Sequence, residues 1–255
     1  MTSEHVVYEA HGAIARVTLR ESAGPAGSAG NVWAALRSAF VAIEASDTVR
    51  AALISGAAGA FAFDPSPEAS ALPDRLEGVG VQDALSVLRM SRVPVVVALR
   101  GRVSGAGALL GFSGDWIVVD DEVEFMALDQ VLHQAAGLNP GFVFLPALDT
   151  AVVSDSVAVC AVLSGDEAAR RGLVTECVES GAARERAEAI VKRLAQGPTR
   201  ALALTRQLLD ESADADFEAQ CRRELEVNQV LRTSRDSAEG VQAFLEKRPA
   251  RFRGE

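Results

Sequence analysis

The sequence predicts an α/β fold with a partly parallel sheet, followed by a helical C-terminal region. Two patterns support this. Through about residue 178, short β-branched and apolar runs alternate with segments whose apolar residues recur every three or four positions. Beyond about residue 181 only the helical period remains. The chain has 255 residues, 49% of them hydrophobic, enough for one large buried core.

The elements follow in order. Val6 to Ala10 and Ala13 to Leu19, parted by His11-Gly12, read as a β-hairpin. Residues 21–30 are a loop of small residues. Asn31 is placed to cap a helix bearing Val32, Leu36, Phe40 and Ile43 on one face. Val49 to Ile54 reads as a strand, apolar except for Arg50. A Gly/Ala/Pro-rich loop over 56–76 precedes a helix from about Val81 to Met90. Pro94 opens the strand Val95 to Leu99. The segment Ser104-Gly105-Ala106-Gly107-Ala108 then runs into a short apolar helix. Trp116 to Val119 and Val123 to Met126 read as strands, and Trp33 and Trp116 as core residues rather than ligand-stacking ones. From Asp129 the pattern turns helical. After a strand-like Val174 to Val178, amphipathic helices are expected over about 181–195, 198–209, 217–232 and 236–246. The plan is a core over 1–195 and a helical region over 196–255.

Composition excludes several functions. A net charge of −10 argues against nucleic acid as a partner, because neutralising phosphates needs clustered Lys and Arg. No apolar run approaches the roughly 18 residues of a membrane span. The first residues lack the basic and apolar regions of a signal peptide. Three dispersed cysteines (Cys160, Cys177, Cys221) fit neither a disulfide framework nor a zinc site, so the cytoplasm is the expected compartment. One local exception in charge is Lys247 to Arg253, with Lys247, Arg248, Arg251 and Arg253 and no acid between them. It reads either as a solvated basic tail or as a clamp for an anionic ligand.

Several motifs, in a fixed order, resemble those of the crotonase (enoyl-CoA hydratase/isomerase) superfamily. Pro94-Val95-Val96-Val97-Ala98-Leu99-Arg100-Gly101 is similar to that family's "P-hydrophobic-A-hydrophobic-N-G" turn, and Gly105-Ala106-Gly107 follows at the family's spacing. Gly114-Asp115-Trp116-Ile117-Val118 resembles "C-D-I-R-V". Ser164-Gly165-Asp166-Glu167-Ala168 with Gly172-Leu173-Val174 resembles "S-A-E-E-A…G-L-V". Ala243-Phe244-Leu245-Glu246-Lys247-Arg248 is similar to the "A-F-x-E-K-R" tail. The resemblance implies the ClpP/crotonase-like fold, with repeated ββα units and a C-terminal helical region used for trimerisation. It also implies an acyl-CoA thioester as partner, coenzyme A entering only as part of the substrate, and a homotrimer or dimer of trimers.

Enzymes of this family hold the thioester oxygen with two backbone N–H groups while an enolate forms. Such oriented donors are worth on the order of 3 kcal/mol each in the transition state. One lies in a loop written "F-x-A-G-A-D", for which this chain has Phe61-Ala62-Phe63-Asp64-Pro65-Ser66. By direct count the donor falls on Pro65, which has no N–H. Either that half of the oxyanion hole is missing, or Asp64 or Ser66 replaces it, with Ala62 and Phe63 beside the substrate. The second donor falls on Ala106, next to Gly105, where the helix dipole helps.

Hydration further needs two carboxylates. The first, in "G-G-G-x-E", falls without a gap on Leu109, which cannot transfer protons. The second falls on Asp129 counting forward from Asp115, or on His133 counting back from Gly137-Leu138-Asn139-Pro140-Gly141, a segment that resembles "G-x-x-P-G". The two positions are one helical turn apart. In a helix they would share a face and could form an acid/base pair, or else Asp129 caps the helix and His133 is partly exposed. Phe244 and Lys247 stand where the family's tail reaches a neighbouring subunit's CoA. Gly30 stands before Asn31, where the family usually has Arg or Lys, which weakens the phosphate contact expected there.

The sequence is compatible with two functions. One is an isomerase- or decarboxylase-like enzyme of fatty acid or related acyl-CoA metabolism. The other is a non-catalytic acyl-thioester-binding or scaffold protein. The net acidity favours CoA over an acidic carrier protein as the acyl bearer.

Overall fold

The computed structural model describes residues 3–20, 29–57, 61–63, 75–125, 162–212 and 215–255. The chain opens with the antiparallel hairpin β1 (Val6–His11) and β2 (Ile14–Leu19), in register from Val6↔Leu19 to His11↔Ile14. That register leaves Gly12 and Ala13 as a two-residue loop, and Gly12 supplies the positive φ of 59° that so tight a loop demands. Helix α1 (Ala29–Glu44) follows, then β3 (Ala51–Gly56), the short β4 (Phe61–Phe63) and α2 (Arg75–Arg89). Next come β5 (Val95–Leu99), β6 (Arg102–Ser104), α3 (Gly105–Phe112), β7 (Trp116–Asp120) and β8 (Glu124–Phe125). Beyond them are β9 (Leu163–Ser164), α4 (Gly165–Arg170) and β10 (Glu176–Val178). The last helices are α5 (Ala183–Ala195), α6 (Thr199–Ser212), α7 (Phe217–Arg232) and α8 (Arg235–Glu246).

The strands form two sheets. The larger runs β1-β2-β3-β5-β7-β10, parallel except for the hairpin. The smaller runs β4-β6-β8-β9, parallel except for the last pair. Every residue of β5 is buried, as expected of a central parallel strand covered on both faces. Alternation sorts its side chains. Val95, Val97 and Leu99 face a core built with α1, α2 and α3, whereas Val96 and Ala98 face a second cluster under α5. Each large aliphatic chain so buried contributes roughly 1.5–3 kcal/mol. The turn after α3 closes tightly on this layer: a Cβ on Gly114 would lie 2.4 Å from Val97 Cγ2, so only glycine fits.

The hairpin, the β5 strand and the four last helices lie close to where the sequence placed them. Two starts differ. Helix α1 begins at Ala29, so Asn31 lies inside its first turn rather than capping it. Helix α2 begins at Arg75, six residues before the expected start at Val81. The three-residue strands β4 and β6 were not anticipated as separate elements. Trp33 is buried in the core, and Trp116 is half-buried against the α5 cluster.

Candidate active site

The small sheet aligns the segments that the sequence marked for oxyanion stabilisation. β4 and β6 are parallel, with Phe61 opposite Val103 and Ala62 opposite Ser104. Adjacent strands lie about 4.8 Å apart. The chain leaving β4 at Phe63 therefore departs beside the point where β6 becomes α3 at Gly105 and Ala106. Phe61, Val103 and Phe125 turn to the core and anchor this arrangement. Phe112 stacks on Phe125 with ring centroids 5.0 Å apart, fixing α3 over β8.

Helix α3 starts without an intervening loop. Ser104 is its N-cap, extended at φ −150° and ψ 168°, and its side chain makes no capping hydrogen bond. The first N–H groups of a helix have no carbonyl within the helix to bond. Left uncapped here, they form a donor array with the positive end of the helix dipole behind it. The Ser104 hydroxyl is itself buried, 2% exposed, and has no hydrogen-bond partner among the described residues. Sequence reasoning did not single it out. The available signal was a serine directly before Gly105, where a helix would be expected to use it as a cap.

Leu109 lies one turn into α3 at 0% exposure, in the main apolar cluster with Ala108, Leu110 and Val103. Ser113 Oγ donates to the Leu109 carbonyl at 2.6 Å, closing the end of the helix. The side chain is sealed in hydrocarbon and has no acid/base capacity.

Ala62, Phe63, Gly105 and Ala106 thus come together, and Leu109 joins them on α3. Asp64, Pro65, Ser66, Asp129 and His133 lie outside the described residues. Phe244 and Lys247 stand at the end of α8, whose main packing within the chain is on α7. Phe244 is 82% exposed. Lys247 is the helix C-cap in a left-handed conformation, φ 54°, also exposed.

Among the described residues, the basic run after α8 is folded back onto that helix, with Arg248 paired to its carboxylates. Arg248 donates from Nη1 and Nη2 to Glu239 at 2.6 and 3.0 Å and also pairs with Glu246. The Arg251 N–H donates to Glu239, and the N–H groups of Arg253 and Gly254 donate to Asp236 at 2.6 and 2.7 Å. The hydrogen bonds from Arg248, with that of the Arg251 N–H, pull the Glu239 carboxyl down to about 2. Lys247, Arg251 and Arg253 keep their side-chain charges free of carboxylates among the described residues, whereas Arg248 does not.

Two other titratable groups lie near the elements that frame the site. Asp115, between α3 and β7, accepts from Val95 N at 2.6 Å and from Arg206 Nη1 at 3.2 Å. Burial pushes its carboxyl up against the pull of that guanidinium. Cys177 on β10 is pushed up to about 11, first by burial and then by its hydrogen bond with Asp166, which makes it a poor nucleophile.

A sequence model of the enoyl-CoA hydratase/isomerase family matches residues 9–255. The 1,2-epoxyphenylacetyl-CoA isomerase of Escherichia coli (strain K12) is 28% identical over 229 residues, covering 83% of this chain and 84% of that protein. The carnitinyl-CoA dehydratase of Salmonella arizonae is 28% identical over 229 residues, covering 86% and 87%. Among solved structures, an enoyl-CoA hydratase from Bacillus anthracis shares the fold at a TM-score of 0.86. It covers 99% of this chain and 100% of its own at 18% identity. The fold is the one that the motifs along this sequence implied.

Proposed function

This chain belongs to the enoyl-CoA hydratase/isomerase family, and we propose that it binds an acyl-CoA thioester beside the start of α3 and stabilises an enolate there without hydrating a double bond. The observation that carries this reading is Leu109. It is fully buried in the apolar core at the position where the family's first carboxylate falls. Hydration must position and deprotonate a water and protonate the α-carbon, and one of the two groups for that work is absent. Isomerisation needs a single group to move one proton between carbons. Decarboxylation needs none, since the departing CO₂ leaves the electron pair that becomes the enolate.

The thioester oxygen is assigned to the Ala106 N–H at the uncapped start of α3, a donor worth about 3 kcal/mol in the transition state. Proton transfer is assigned to Asp129 or His133. An isomerase among the relatives supports this direction. No cofactor enters the scheme beyond the coenzyme A of the substrate. Phe244 and Lys247 point outward from α8, as expected of residues that complete a neighbour's CoA site. The assembly is accordingly assigned as a trimer or dimer of trimers, three or six times the 26.8 kDa chain. No helix of the described residues is long and apolar enough to cross a membrane. The free thiols of Cys177 and Cys221 suit a reducing cytoplasm.

Pro65 together with Leu109 favours a second reading, an acyl-thioester-binding protein without turnover. Calorimetric titration of crotonyl-CoA, a longer enoyl-CoA, a 2-carboxyacyl-CoA (malonyl-CoA) and free CoA separates the two, with products followed by chromatography and mass spectrometry. Binding with a shifted double bond or loss of CO₂ is the expected result. Addition of water would overturn the proposal, binding without product would establish the second reading, and no binding would remove both.

A further inference from the structure

A cavity of about 570 Å³ opens between the core, α6, α7 and the C-terminal tail. Its core wall is Val49 and Arg50, just before β3, and Arg92 and Val93, just before β5. The candidate active site lies beyond the opposite ends of these strands, and the six residues of β3 alone span about 20 Å. The volume is ordinary for a small-molecule site.

Charge sets this cavity apart on a chain of net charge −10. Five arginines line it against two carboxylates. Arg223 is offset by Glu211 at 2.8 Å and Glu226 at 3.4 Å, and Arg92 has Asp47 at 4.0 Å. The other three have no carboxylate within ion-pair distance among the described residues. Arg50 is held by neutral acceptors alone: Nε donates to Thr199 Oγ1 at 3.1 Å, and Nη1 and Nη2 donate to the Phe252 and Gly197 carbonyls at 2.6 Å. Its position is fixed while its charge remains uncompensated. Arg200 and Arg253 are exposed at the rim. Three uncompensated guanidinium groups around one small volume suit an anion carrying more than one charge, and the planar donor forks of Arg200 and Arg253 match phosphate oxygens. The buried Val93, Ala203 and Val227 leave an apolar surface for the remainder of the ligand.

We propose that this cavity binds a small phosphate-bearing anion, at a site separate from that assigned to the thioester. Its walls come from the core and from three parts of the C-terminal region, so a bound anion would tie the two together. The proposal does not depend on the acyl-CoA reading.

The test is calorimetric titration of the full chain with pyrophosphate and with ADP, with thermal unfolding measured alongside. Wild type is expected to bind with a rise in Tm and with affinity that falls as salt is added. Arg200→Glu combined with Arg253→Glu should weaken binding at least tenfold. Arg200→Gln, which removes the positive charge without reversing it, should weaken it several-fold if the double variant folds poorly. Lys247→Glu, at the end of α8, should leave pyrophosphate affinity within about twofold. Tighter binding of ADP than of pyrophosphate would mark a nucleotide ligand, and equal binding a phosphate group recognised alone. Absence of binding to wild type would overturn the proposal. So would unchanged affinity in the Arg200 and Arg253 variants, or loss through Lys247→Glu.

Discussion

Helices α5 and α6 are neighbours in sequence, yet they are held to the core in different ways. α5 buries Ala183, Ala187, Ile190, Val191, Leu194 and Ala195 against the underside of the large sheet. The longer α6 buries only Thr199 and Ala203, α7 only Val227, and α8 Asp236 and Ala243. These last three helices instead expose Leu209, Phe217, Leu225, Val241, Phe244 and Leu245. What attaches them is polar and directional. Arg206 of α6 reaches Asp115 and the carbonyls of Arg89 and Ser91, while Arg50 holds the start of α6 and the tail. The core therefore rests on many small apolar contributions. The C-terminal region rests on a few bonds, each with a large individual effect, and on apolar faces that find no cover within the described chain.

The sharpest test of the apolar side of this contrast is Leu109→Glu. An ionised carboxylate at that fully buried position has no cationic partner among the core residues around it, so unfolding free energy should fall by about 4 kcal/mol. Leu109→Met, which conserves volume, should cost less than about 1.5 kcal/mol. Denaturant unfolding measures both. A well-folded Leu109→Glu variant that gained hydratase activity would show that α3 has an open route to the substrate there, and would return Leu109 to the active site.

On the polar side, Arg206→Met leaves the Asp115 carboxylate buried with only the Val95 N–H to satisfy it. The expected loss at neutral pH is about 3 kcal/mol. Burial already pushes the Asp115 carboxyl above its ordinary value, and the guanidinium opposes that push. Without Arg206 the folded-state value rises further. The resulting penalty is present once pH exceeds the ordinary carboxylate range and shrinks on acidification, because protonation removes the buried charge. Unfolding curves at about pH 7 and pH 4 should therefore converge on wild type at the lower pH. An equal loss at both would mean that the clasp works through the carbonyl hydrogen bonds of Arg206 rather than its charge.

What the sequence disclosed divides along the same line. Val95 to Leu99 was legible because a parallel strand covered on both faces is apolar throughout, with Pro94 and Gly101 at its ends. The helices of the C-terminal region were legible from their period, although little of that apolar face is buried within the chain. Strands β4 and β6 were too short for any period to appear. The start of α1 was misplaced because Ser28 and Asn31 are both capping residue types, and Gly30 between them reads as loop. At the site, Leu109 and Ala106 could be placed by uninterrupted spacing from Gly101. The unpartnered Ser104 hydroxyl could not, since burial and the lack of a partner are facts of packing. The pairing of Arg248 with Glu239 depends on the chain reversing at Lys247 in a left-handed conformation, for which a lysine gives no warning.

The exposed apolar side chains supply a smaller effect on stability and a larger one on assembly. Phe244→Ser with Leu245→Ser should change the unfolding free energy of the dissociated chain by no more than about 0.5 kcal/mol, because neither residue is buried within it. Light scattering should nonetheless show a mass reduced toward 26.8 kDa if α8 packs between subunits as proposed. An unchanged oligomeric mass would mean that this end of α8 lies outside the interface. The contrast with the core would then need another cover for these residues.

The smallest expected effect tests whether the tail is held by charge. Glu239 accepts from Arg248 and from the Arg251 N–H, and its carboxyl is pulled down to about 2. A carboxyl lowered on folding stabilises the folded tail above its ordinary value and loses that contribution as pH falls toward the lowered one. Amide exchange at Arg251, corrected for its intrinsic rate, should therefore stay slow from about pH 7 down to pH 5 and accelerate progressively below about pH 4. Glu239→Gln should abolish this dependence while leaving exchange in the core unchanged. The same acceleration in Glu239→Gln would assign the pH response to Asp236, which holds Arg253 and Gly254 from the other end of the tail. The polar attachment of the C-terminal region would then rest on that aspartate instead.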